Sequence, residues 1–154
     1  MRLLLSSALA LLVASSLRAD GKPQAFPEPT QFDARPAVIK QNDDALALAY
    51  SPSGEVVAVA GADKTVKLFA AASGKPLDTL AGHTDAVTCL AFSRDGTRLA
   101  SGGYDKKVRV WDLATKKELF ALAGHQNPVL CVAFLNDNTL LSGGGARTVN
   151  SWRL

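Results

Sequence analysis

Gly82–Asp112 reads GHTDAVTCLAFSRDGTRLASGGYDKKVRVWD, and the rest of the chain can be measured against it. The stretch opens on Gly82-His83 and closes on Trp111-Asp112. Between them, three short apolar runs are separated by two polar turns, Ser93-Arg94-Asp95-Gly96 and Gly103-Tyr104-Asp105-Lys106. Apolar runs of this length bounded by such turn residues predict strands. At an offset of 42 residues the stretch finds itself on both sides. Tyr50-Ser51, Phe92-Ser93 and Phe134-Leu135 coincide, as do Gly82-His83 and Gly124-His125, and Asp63 and Asp105. Self-similarity at a fixed period predicts a stack of like structural units.

The register divides the chain into repeats at about 41–81, 82–123 and 124–154. The second is the complete one. In the first, Gln41 stands where the histidine is expected and Phe69-Ala70 replaces Trp-Asp. The third keeps His125, Phe134, Ser142 and Trp152. It is one residue shorter near Asn136–Asn138, so its later positions fall at an offset of 41. There Ala146 replaces the turn aspartate and Arg153 the aspartate of Trp-Asp.

With its Gly-His and Trp-Asp marks, the second repeat resembles a WD40 repeat, and the resemblance extends over residues 32–154. It implies an all-β fold: a partial WD40-type β-propeller of about three four-stranded blades, incomplete as a single chain. In that family a segment such as Phe32–Lys40 is the outermost strand of a preceding blade, so it stands here as an orphan outer strand. Pro36 suits an edge strand, since proline offers no N–H to a ladder. Leu154 ends a third strand, with no fourth strand after it.

The resemblance also implies a structural hydrogen-bond tetrad in each blade. His83, Ser101, Asp105 and Trp111 supply it in full, and His125, Ser142 and Trp152 in part; the first repeat has only Asp63. A buried indole N–H needs an acceptor and a buried imidazole needs partners on both nitrogens, so serine can bridge the two while aspartate fixes the tautomer. Ser101, His83 and Asp105 are also the residue types of a nucleophilic triad. Their place in a repeat register, with Ser101 in the apolar-flanked run Leu99-Ala100-Ser101, favours the structural role, so no catalytic residues are expected. Cys89 and Cys131 lie six residues after His83 and His125, which is repeat periodicity rather than metal-ligand spacing. Two buried, reduced thiols are expected, with no metal and no cofactor. The chain has no haem-attachment CxxCH, no phosphate loop and no GxSxG elbow.

The chain has 154 residues, enough for one domain, with 17 Lys+Arg against 14 Asp+Glu. Arg2 and Arg18 belong to residues 1–19, MRLLLSSALALLVASSLRA, whose basic start, apolar run and small residues predict a secretory signal peptide cleaved near Ser16 or Ala19. The alternative is an uncleaved membrane anchor, for which the apolar run is short. The rest is nearly neutral, which argues against nucleic acid as a partner. Residues 20–31, with Pro23, Pro27 and Pro29, form a Pro-rich linker.

The implied function is that of an exported, non-catalytic protein–protein interaction module or scaffold. The candidate partner-binding face comprises Asp85, Tyr104, Lys106, Gln126, Asn127 and Arg147, with Thr84 beside them. The unmatched ends admit two expectations. Two chains complete one another as a six-bladed homodimer, or the chain is a fragment or decayed copy of a longer gene. The alternative function is a truncated or accessory propeller of an exported enzyme or electron-transfer protein whose catalytic part lies elsewhere.

Overall fold

The computed structural model describes residues 43–145 and 147–154. The expected signal peptide, linker and orphan strand lie outside the described residues. Each repeat forms one antiparallel sheet. The first contains β1 (Ala45–Tyr50), β2 (Val56–Gly61), β3 (Thr65–Ala70) and β4 (Pro76–Ala81), in that spatial order. The second contains β5 (Val87–Phe92), β6 (Arg98–Gly103), β7 (Lys107–Asp112) and β8 (Glu118–Ala123). The third contains β9 (Val129–Asn136), β10 (Thr139–Gly144) and β11 (Val149–Arg153). The described chain is thus all-β, a partial propeller of two four-stranded sheets and one three-stranded sheet.

The repeat extends into the backbone. Lys64 and Lys106 take the left-handed conformation at φ 64°, and Arg147 at φ 57°, each in the turn between the second and third strands of its sheet. Gly74 (φ 65°) and Lys116 (φ 60°) do the same one turn later. Few non-glycine residues sit there. Their recurrence reflects turns closed by backbone hydrogen bonds, such as Lys64 N–H to the Gly61 carbonyl (3.3 Å) and Lys106 N–H to that of Gly103 (3.2 Å). Gly103 itself is required by close approach, because a Cβ there would lie 2.6 Å from the Ala86 carbonyl oxygen.

The faces of each sheet are unequal, and this sets how sheets stack. In the second sheet, Leu99 and Trp111 line one side and the smaller Cys89, Ala100, Val108 and Val110 the other. Ala58, Ala60, Val66, Leu68 and Leu80 of the first sheet meet Val87, Leu99 and Trp111 of the second. Cys89, Ala100, Val108 and Val110, on the other side of the second sheet, meet Val129 and Leu140 of the third. Burying such side chains contributes roughly 1.5–3 kcal/mol each for the larger ones. Thr88 ties the second junction further, its hydroxyl donating to the Val129 carbonyl.

Only one of the two cysteines is buried. Cys89 is covered by the third sheet, but its counterpart Cys131 is exposed, contrary to the expectation of two buried thiols. Cys131 lies on the face of the third sheet turned away from the second, as does Val149 (71% exposed), two strands away across Gly143 of β10.

Candidate functional site

The structure brings His83, Ser101, Asp105 and Trp111 together inside the second repeat. Ser101 on β6 and Trp111 on β7 come from adjacent strands; His83 precedes β5, and Asp105 occupies the β6–β7 turn. Trp111 Nε1 donates to Ser101 Oγ at 2.9 Å. Ser101 Oγ lies 2.8 Å from His83 Nε2, and His83 Nδ1 lies 2.8 Å from Asp105 Oδ2. Asp105 also accepts from the backbone N–H of Thr84 (3.2 Å) and Lys107 (3.1 Å).

The protons run one way along this chain. The indole N–H donates to the serine oxygen, which leaves the hydroxyl proton for His83 Nε2. Nδ1 then carries the imidazole proton and donates it to Asp105. That is the neutral tautomer. Burial drives the His83 pKa below its ordinary value of 6.5, against the raising effect of Asp105. For Asp105, burial pushes the pKa up, but His83 and the turn amides outweigh it and hold the carboxyl below 3.8.

Although Ser–His–Asp distances of this kind also occur in nucleophilic sites, the serine here is fully buried, at 0% exposure. Its oxygen also accepts the indole N–H, so a substrate carbonyl cannot reach it. The arrangement can staple β6 and β7 to the segment before β5.

The third repeat repeats the inner half. His125 Nε2 and Trp152 Nε1 each lie 2.7 Å from Ser142 Oγ. No carboxylate hydrogen bond to His125 exists among the described residues. The two rings tilt at 53° with centroids 6.0 Å apart. In the first repeat Asp63 organises only its own turn. It accepts from the Thr65 N–H (3.1 Å) and hydroxyl (3.0 Å) and pairs with Lys67 (2.5 Å).

Thr84, Asp85, Tyr104, Lys106, Gln126, Asn127 and Arg147 are all exposed. They occupy the loops before β5 and β9 and the β6–β7 and β10–β11 turns, at one end of the strands. Tyr104 N–H donates to the Ala86 carbonyl at 2.8 Å, which fixes the turn while its ring stays 48% exposed. Among the described residues, no group of three or more His, Cys, Asp or Glu is arranged to hold a metal ion.

Two features escape sequence reading. Arg109 is buried, pairs with Glu118 across β7 and β8, and has an Nε with no partner among the described residues. The second is a groove between the first and second sheets, at the end of the strands opposite Tyr104.

The family model "WD domain, G-beta repeat" matches residues 74–112 and 116–153. A second, "Anaphase-promoting complex subunit 4 WD40 domain", matches residues 37–92. The probable serine/threonine-protein kinase PkwA of Thermomonospora curvata is 40% identical over 52 residues, which make up 34% of this chain and 7% of that protein. Two solved structures, one of U3-55K and one of the RRP9 WD40 repeats, each superpose with a TM-score of 0.71 at 26% identity. Each covers 75% of this chain and 37% of the solved one, so this chain spans little more than a third of the length of the structures it matches.

Proposed function

We propose that the chain, which belongs to the WD40 repeat family, is a non-catalytic platform for binding another protein through the Tyr104–Arg147 end of its sheets. The observation that carries this reading is the contrast between Ser101 and the turns. The Ser–His–Asp set of the second repeat is closed inside it, while aromatic, cationic and amide side chains stand exposed outside it. Tyr104 beside Lys106 offers the aromatic-plus-cation chemistry enriched in binding hot spots. Pull-down from the native source, followed by Tyr104→Ala, tests it. The variant should fold normally and hold the captured protein at least about tenfold more weakly; equal retention would move the binding face elsewhere.

In this reading two copies associate head to tail into a six-bladed ring. Support comes from the apolar side chains on the outward faces. Leu48 and Tyr50 are 61% and 59% exposed, yet their counterparts Leu90 and Phe92 pack between sheets. Val149 corresponds to Val108, which is fully buried. Light scattering on the purified chain should give twice the monomer mass. Residues 1–19 would export the protein, which N-terminal sequencing of the mature form checks.

The likeness to PkwA favours a second reading, in which these repeats are an accessory part of a larger catalytic assembly. An enzyme captured through the Tyr104 face would support it.

A further inference from the structure

The groove between the first and second sheets has a volume of about 250 Å³. Val56, Leu68, Phe92 and Leu113 give it an apolar floor, and Leu77, 54% exposed, forms a lip. Glu55, Asp95 and Lys116 supply its charged lining.

The equivalent junction between the second and third sheets shows what fits there. Position 56 of the first repeat corresponds to position 98 of the second, and valine is replaced by arginine. Arg98 reaches across that junction, and its Nη1 donates to the Asp137 carbonyl in the β9–β10 turn at 3.0 Å. That turn corresponds to the β5–β6 turn, which carries Asp95. At one junction the chain therefore supplies its own guanidinium. At the other the short Val56 leaves the space open.

We propose that this groove is a docking site for an arginine side chain of a partner peptide, with an apolar residue next to it. The arginine stem packs along the apolar floor as such stems do on apolar surface. The planar, weakly hydrated guanidinium suits paired carboxylates better than an ammonium does. The Glu55 carboxylate has no hydrogen bond or ion pair among the described residues, so it is free to take the charge. Asp95 is already bonded to Ser93 and Thr97, which hold its carboxyl ionised, with a pKa of about 2. The residue is exposed. Two cations compete. Arg98 lies within electrostatic reach of Asp95, and the Lys116 ammonium is turned back onto the Leu113 carbonyl. Glu55 is thus the main charged contact and Leu77 the contact for the neighbouring apolar residue. The groove lies away from the Tyr104 face, so this site stands independently of the function proposed above.

Titrating the 15N-labelled full chain with the peptide Ac-Gly-Leu-Arg-Leu-Gly-NH2 tests it. The amides of Leu77, Gly96 and Leu113 should shift and saturate. The citrulline counterpart, which keeps the shape and loses the charge, should bind about fivefold more weakly or worse. Val56→Arg copies the arrangement of the other junction into the groove and should lower affinity at least about tenfold. Its melting temperature should equal or exceed that of the parent. Glu55→Gln, on an exposed turn, should lose about fivefold without any change in fold. Tyr104→Ala should leave the titration unchanged. Absence of saturable shifts, equal binding of the citrulline peptide, or unchanged binding by Glu55→Gln would overturn the proposal, even if Val56→Arg failed to fold.

Discussion

His83 Nε2 and Trp111 Nε1 converge on one atom, Ser101 Oγ, at 2.8 and 2.9 Å. A hydroxyl can serve both because it donates to one ring and accepts from the other. Among the described residues, neither ring has another partner for that nitrogen. Ser101→Ala should therefore leave two buried polar groups unsatisfied and destabilise the fold by roughly 2–5 kcal/mol. Urea denaturation measures this. A loss under 1 kcal/mol would mean the tetrad is not stapling the strands.

The same network makes stability depend on pH. Burial holds the His83 pKa below 6.5, so the unfolded chain takes up a proton before the folded one does. The stability contribution is complete above pH 6.5 and falls as pH drops from there toward the folded pKa. The slope is at most about 1.4 kcal/mol per pH unit for one proton. Asp105, held below 3.8, adds stability above that value that is lost as pH falls through its folded pKa. Melting temperatures between pH 7 and 5 should fall in the parent and show a smaller slope in His83→Gln.

His125 offers the converse experiment. Ala146 stands in sequence register with Asp105. Among the described residues His125 has no carboxylate partner, so Ala146→Asp should supply one and raise stability by about 1 kcal/mol. In a His125→Gln background the gain should vanish, as a double-mutant cycle would read.

The two thiols should separate cleanly under alkylation. Burial pushes the Cys89 pKa up to about 11, whereas Cys131 is exposed. Native monomer treated with a maleimide should gain one adduct, located on Cys131 by peptide mass spectrometry, and the two-chain ring proposed above, which would cover that face of the third sheet, should protect it. The second should appear only on unfolding. Modification of Cys89 in the native state would show that the junction between the second and third sheets opens readily.

What the sequence made legible is local to each repeat. Strands, turns and the His83–Ser101–Asp105–Trp111 set follow from residues within one 42-residue period. Properties that depend on a neighbouring sheet were not legible. Cys131 shares its register with Cys89, but only Cys89 has another described sheet against it. The groove arises from exchanging Arg98 for Val56, and an apolar residue at a strand start carries no sign of an open junction. The position-by-position comparison of those two residues was the available signal. Arg109 and Glu118 pair across strands in the second repeat alone, so periodicity could not reveal them.

The two cores share no residue: one joins the first and second sheets, the other the second and third. Cooperativity among the described sheets is therefore linear, like that of a chain with three links. Damage to the first or third sheet costs one junction. Damage to the second uncouples both, so an unfolding event that begins there removes the template against which each outer sheet is ordered. The complete hydrogen-bond set lies in the sheet where its loss would be felt twice.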